Sequence, residues 1–313
     1  MNLTENNNLS STFHLKAINE KPLLVQVLVG ILLYVNGLMI FTFLKKETFR
    51  ETRYILFAQT LFADSALMLL TDLTLMGSFY QYPVHIIPCY IFCTFMFLLY
   101  ICSPMTLVAM CLERYVAICM PLRHSSISTP KNTFIGLLVI WSVSFVIPLF
   151  VLIASFAYIP PGVFHLYVVC SVEIMLQVKW LADIQDELNR KQQFDLQLLF
   201  IMMLCIIVST YFKIILAARS ASSERKTSTN KGLKTIILHG VQLLLSMMQL
   251  ITPYIEMPLW KVDFMLFVNV RYSNFILFLI LPRCLSPLVY GIRDKKFYNA
   301  LIYYAFCGNL CPK

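Results

Sequence analysis

Charge is what this chain has least of. Only 13% of its 313 residues are Asp, Glu, Lys or Arg, about half the quarter that a soluble globular domain carries. None at all occurs between Asp72 and Glu113. A chain so poor in charge and 59% hydrophobic cannot cover a soluble surface. The constellations that carry chemistry are missing too. There is no His-Glu-x-x-His, no Gly-x-Ser-x-Gly and no protease-type pair of intramembrane aspartates, which argues against an enzyme. No cofactor is implied. The ten cysteines form no cluster with metal-ligand spacing, so no metal is expected. Transporter-type internal repeats are absent, and only a proline-rich seventh apolar run leans toward that class.

What is present is apolar length. Seven runs, at about 23–44, 53–78, 86–118, 133–157, 194–218, 233–257 and 264–290, each suffice to cross a hydrocarbon core about 30 Å thick. A barrel would need shorter strands of alternating polarity. The expected fold is an all-α membrane protein, a seven-transmembrane helix bundle. Residues 1–22 form a polar amino terminus, 23–290 the helical domain and 291–313 a tail. The first 22 residues show no cleaved signal peptide, and the first run is expected to act as an uncleaved signal anchor.

The net charge of +9 reports topology, not nucleic acid. Fifteen Lys and Arg lie on one set of connections, after the first, third, fifth and seventh runs, and six lie on the other set. The richer set is cytoplasmic by the positive-inside rule, facing anionic membrane lipid. The amino terminus is then outside, together with the sequons that begin at Asn2 and Asn8, which glycosylation requires. Cys89 and Cys170 also fall on that side, where an oxidising exterior permits a disulfide. Most other cysteines, Cys93 among them, lie within or at the ends of the runs, where a small apolar filler is the ordinary role. "DIQDELNRKQQ" is expected to extend the fifth helix outward. "ARSASSERKTSTNKG" is a short polar inner loop, rich in Ser and Thr. In "GIRDKKFYNALIYYAF", Phe297, Leu301, Tyr304 and Ala305 share one face, a short amphipathic helix on the inner membrane surface. Beyond it, Cys307 and Cys311 are either acylated or ordinary cytosolic thiols.

Charged groups inside spans are costly enough to count as functional candidates. They are Asp64 and Asp72 in the second run, Glu113 and Arg114 in the third, Asp195 in the fifth, and Arg271 and Arg283 in the seventh. Asn36, Tyr211, His239 and Tyr290 complete the polar set.

Three stretches carry a resemblance. "MCLERYVAICMPLRH" (110–124) is similar to the M-A-Y-D-R-Y-V-A-I-C-x-P-L pattern of odorant receptors. "KGLKTIILH" (231–239) resembles their K-A-x-S-T-C-x-S-H, keeping Lys231, Thr235 and His239. "PRCLSPLVYGIRDKKF" (282–297) resembles their P-M-L-N-P-x-I-Y-S-L-R-N-K. Asn36, Asp64, Cys89, Trp141 and "SPLVY" also fall where rhodopsin-like G-protein-coupled receptors have signature residues. The resemblance spans nearly the whole chain. Glu113 for Asp, Ser286 for Asn and a single cysteine in the long external loop resemble a divergent, fish-type branch. A receptor for a peptide or small metabolite within the same superfamily is the alternative.

The resemblance implies a small-molecule odorant as ligand and a heterotrimeric G protein, stimulatory and cyclic-AMP-raising, as partner, at the plasma membrane of sensory-neuron cilia. It makes Glu113 a latch on Arg114, next to Tyr115, which opens when the sixth helix swings outward. Tyr211 and Tyr290 then support the freed arginine. His239 is expected to hydrogen-bond to the third helix in the closed state, with proton sensing as its other reading. Trp141 is expected to pack. Ligand-binding candidates are Met96, Phe97 and Tyr100 in the third helix, Asp195 and Leu199 in the fifth, Leu250 and Tyr254 in the sixth, and Tyr272 and Phe275 in the seventh. Met96 stands where amine receptors place an aspartate. Asp195 either meets a cationic ligand or is solvated.

Arg283 lies four positions before Pro287, on the same helical face. In the resembling family that face looks toward the aspartate corresponding to Asp64, which often binds sodium. Pairing with Asp64 in place of sodium is the expectation. Contact with backbone carbonyls or water is the competing one.

Overall fold

The computed structural model describes residues 3–45, 51–158, 165–170, 182–219, thirteen positions between 237 and 262, residues 263–285, and 299 and 303. Side chains are described from 22 in the first of these segments and from 197 in the fourth, apart from a few positions elsewhere.

Six described helices are long and apolar enough to cross a membrane: Pro22–Lys45, Thr52–Phe79, Ile86–Cys119, Pro130–Ile153, Gln197–Ala217 and Met265–Leu285. They match the first five and the seventh of the apolar runs. For the sixth, every described residue between 237 and 262 is helical. The first helix reaches back to Leu3, passing through Pro22 where the sequence turns from polar to apolar. The fifth begins at Ala182, so the charged stretch before it does prolong that span. The amphipathic helix expected after the seventh span lies almost wholly outside the described residues.

The third span is the axle. It is the most deeply buried of the six and packs against the second, fourth and fifth. Its apolar residues run around the whole circumference, as a helix enclosed by others requires. A 34-residue helix is about 50 Å long, enough to link the outer mouth of the bundle to its inner face. At its inner end the chain turns at Met120 into a short helix, Pro121–Ile127. Pro121 occupies the first turn, where its missing N–H costs nothing.

The fourth span shows the opposite logic. Phe134, Leu138, Val146, Phe150 and Ile153 are exposed and repeat at helical spacing, as a face bathed in lipid must. Between helices in lipid the hydrophobic effect is weak, so close packing and interhelical hydrogen bonds hold the bundle. Asn36 Nδ2 donates to Ser65 Oγ at 2.9 Å between the first two spans, and Thr133 Oγ1 donates to Thr52 Oγ1 at 2.9 Å between the fourth and second. Trp141 packs against two core clusters, one built mainly on the second, third and fourth spans and the other mainly on the third and fifth, which fits a packing role.

The seventh span is irregular. Phe264–Asn274 is α-helical, with Asp263 accepting from the Met265 N–H at 2.8 Å at its N-cap. Phe275–Ile280 widens into a π turn, and the helix resumes to Leu285.

At the outer end, β1 (Pro83–His85) and β2 (Tyr167–Val169) pair antiparallel, with Pro83 opposite Val169 and His85 opposite Tyr167. Cys89 and Cys170 form a disulfide with their Cα atoms 5.6 Å apart. The long loop between the fourth and fifth spans is thereby tied to the start of the third span.

Candidate functional site

Polar groups gather at three levels along the third span. At its inner end Arg114 Nε lies 3.4 Å from Glu113 Oε2, and both side chains are mostly withdrawn from solvent. Successive residues on a helix point about 100° apart, so the arginine must bend back along the helix surface to meet its neighbour. The other carboxylate oxygen of Glu113 has a neighbour of its own. His124 Nε2, on the short helix that follows, stands 3.5 Å from Glu113 Oε1. One carboxylate thus holds two cationic candidates, one from each side. The histidine role was not read from the sequence, although the turn imposed by Met120-Pro121 brings the short helix back toward it. Tyr115 and Tyr211 pack into the core shared by the third and fifth spans, and Lys213 Nζ sits 5.5 Å above the Tyr115 ring. His239 and Tyr290 lie outside the described residues.

Halfway along the bundle is a buried polar knot. Asp64 and Arg283 are each 2% exposed. Arg283 Nε stands 3.9 Å from Asp64 Oδ1, and Ser103 Oγ donates to that same oxygen at 2.6 Å. The guanidinium also lies 5.9 Å from the Tyr100 ring centroid. Arg283 Nη1 donates to the carbonyls of Phe278, at 3.3 Å, and Leu279, at 3.0 Å. Proline supplies the reason. Pro282 has no N–H, so the carbonyl four residues back, that of Phe278, loses its usual helical donor. The neighbouring arginine side chain takes its place. Arg283 thus stands beside the aspartate and also fills backbone carbonyls. The Pro282 carbonyl in turn accepts from Gln242 Nε2 of the sixth helix at 2.7 Å. Ser103 was missed in the sequence because a lone hydroxyl in an apolar run gives no signal.

The third level lies at the end of the bundle that carries the disulfide. Met96 and Tyr100 are buried, and Phe97 and Leu199 pack beside them, in a cluster with Leu99, Phe200, Met203 and Ile207. The Tyr100 and Phe200 rings are 6.0 Å apart. Tyr272 and Phe275 are elsewhere: they pack with Val25, Val29, Leu32 and Met68 of the first two spans. The structure so brings together the third- and fifth-span candidates and sets the seventh-span pair on a different wall. Leu250, Tyr254 and the Asp195 side chain lie outside the described residues, as do Asn2, the Asn8 side chain, Ser286, Cys307 and Cys311. Two polar links near the outer ends went unread in the sequence. Gln26 Nε2 donates to Asp72 Oδ1, and Asn274 Nδ2 donates to Glu256 Oε1 at 2.8 Å, joining the seventh helix to the sixth. Arg271 is exposed and stacks over Phe267.

Two comparisons bear on this architecture. Residues 35–290 match the family model of the 7 transmembrane receptor (rhodopsin family). Over its whole length the chain is 69% identical to Odorant receptor 131-2 of Danio rerio, covering 94% of that protein. The family match and the full-length kinship with an odorant receptor indicate a receptor, not an enzyme. The chain belongs to the rhodopsin family of seven-transmembrane receptors, in its odorant receptor branch.

Proposed function

We propose that this receptor binds a small odorant from outside the cell and activates a stimulatory, cyclic-AMP-raising G protein at its inner face. The observation that carries the reading is the full-length kinship with an odorant receptor. The geometry supports it. An apolar wall of Met96, Phe97, Tyr100 and Leu199, lying below a disulfide-anchored strand, suits a small molecule with few polar groups. Leu250 and Tyr254 would face that wall from the sixth helix. Tyr272 and Phe275, which pack toward the first two spans, would meet the ligand only from that farther side, and Asp195 would stand at the cavity mouth.

At the inner face Glu113 acts as the latch on Arg114, with Tyr115, Tyr211, His239 and Tyr290 as the groups that rearrange around it. Ligand and G protein are coupled because each prefers the conformation in which that latch is open. At mid-depth Arg283 supplies to Asp64 the positive charge that a sodium ion would otherwise bring. The amino terminus faces outside, with Asn2 and Asn8 open to glycosylation, and the receptor works in the cilia of sensory neurons.

The test is a cyclic-AMP reporter screen of cells displaying the full chain, against a panel of water-soluble and volatile compounds. A dose-dependent rise to one or more compounds is expected. Silence across the panel with good surface display counts against the reading, and a response to peptides or metabolites alone would replace the odorant.

A further inference from the structure

The disulfide at the mouth has a third sulfur beside it. Cys93, one helical turn beyond Cys89 on the third span, is 2% exposed, and its Sγ lies 3.9 Å from Cys170 Sγ. All three sulfurs fall within 4.8 Å of one another. Binding a metal would require reducing the existing bond, which an oxidising exterior opposes. Exchange requires no reduction. A thiolate displaces one sulfur of a disulfide by attacking the other, and here attacker and target already touch.

We propose that Cys93 is a second partner for Cys170, so that the external loop can be tied to the third span at either of two points one turn apart. In the step, the Cys93 thiol gives up its proton and the thiolate attacks Cys170 Sγ. A Cys93–Cys170 bond forms, the Cys89–Cys170 bond breaks, and Cys89 leaves as a thiolate that takes up a proton. One disulfide and one thiol stand on each side, so no oxidant or reductant enters. The sulfur has to close from 3.9 Å to a bond length of about 2 Å, a distance that side-chain rotation and a small shift of the loop can supply. Burial keeps the thiol from external reagents, which leaves the neighbouring sulfur as its natural target.

The consequence is mechanical. Residues four apart on a helix are separated by about 6 Å along its axis. Moving the tie from Cys89 to Cys93 draws Cys170 inward along the third span. It strains first the Pro83–Val169 pairing, which adjoins Cys170. The two linkages correspond to two depths of the loop over the ligand mouth, and Met96 lies within one turn of the deeper tie.

The full-length receptor tests this without a known ligand. Wild-type receptor is quenched in acid to stop exchange, free thiols are alkylated, and linked peptides are mapped by mass spectrometry under non-reducing conditions. Cys89→Ser, Cys93→Ser and the double variant are mapped in parallel, and their surface display is measured. The expected result is a Cys93–Cys170 peptide as a minor species in wild type and as the sole linkage in Cys89→Ser. Surface display of Cys89→Ser should stay within about twofold of wild type, while the double variant falls about tenfold or more, as loss of a structural disulfide does. The proposal is overturned if wild type carries the Cys89–Cys170 linkage alone and Cys89→Ser is displayed no better than the double variant. It is equally overturned if Cys89→Ser reaches the surface with Cys93 and Cys170 both alkylated.

Discussion

Asp64 and Arg283 show how much one residue can be asked to do. The guanidinium faces a buried carboxylate and also fills the carbonyls of Phe278 and Leu279. Removing either charge leaves the other buried and uncompensated, a loss of about 3 kcal/mol or more. Asp64→Asn and Arg283→Met are each expected to lower the thermal stability of the detergent-solubilised receptor. The double variant should recover a clear part of the loss. Thermal curves in which the double is no better than the worse single would dispose of the pairing. Residual damage in the double is expected even so, because Met cannot donate to the Phe278 carbonyl. Glu113 is the second residue to test. Glu113→Gln removes the latch charge and should raise ligand-free cyclic AMP about fivefold or more, the lower range of coupling energies near 1–3 kcal/mol. Glu113→Asp keeps the charge and should stay close to wild type. Unchanged basal signal in Glu113→Gln at equal surface display would remove Glu113 from the switch.

At the scale of elements, the sixth and seventh helices are joined at two heights. Gln242 Nε2 donates to the Pro282 carbonyl at 2.7 Å near the inner half, and Asn274 Nδ2 donates to Glu256 at 2.8 Å near the outer end. An outward swing of the sixth helix must break or carry the inner link. A neutral hydrogen bond is worth about 1 kcal/mol net, so Gln242→Leu should raise basal cyclic AMP by roughly fivefold at most, and a fall instead would show the link favours the open state. The elements also mark where sequence reading succeeds and stops. Apolar length gave five spans and the seventh because each run crosses the bilayer on its own. Which wall of the cavity a residue faces depends on how its helix is rotated against its neighbours. That is why Met96, Tyr100 and Leu199 fell together while Tyr272 and Phe275 fell with the first two spans. Proximity of Arg283 to Asp64 was legible from spacing and family resemblance. The closeness of Cys93 to Cys170, of His124 to Glu113 and of Ser103 to Asp64 was not, because each depends on a turn, a strand register or a helix rotation that leaves no local signal.

For the whole molecule, the proposed orientation puts the basic connections inside and the Cys89–Cys170 disulfide outside, where bonds of this kind persist. An epitope placed before Asn2 should be labelled on intact cells, and one placed after Lys313 only after permeabilisation. Glycosidase treatment should sharpen and speed the receptor on a gel, and Asn8→Gln should reproduce most of that shift. An amino-terminal epitope that is silent on intact, well-expressing cells would invert the topology.

The polar knot at mid-depth also bears on how the receptor is made. Among the described spans, the second and the seventh are the two least hydropathic, and they are the ones that carry Asp64 and Arg283. A buried arginine makes a span costly to insert in a bilayer, so the seventh is poorly suited to settle there alone. It leaves the ribosome well after the second span, when the aspartate that receives it is already in the membrane. The proposed pairing would give biogenesis an order, with the seventh helix retained by a partner synthesised more than two hundred residues earlier. A chain that loses that partner should be held back in the endoplasmic reticulum before any odorant could find it.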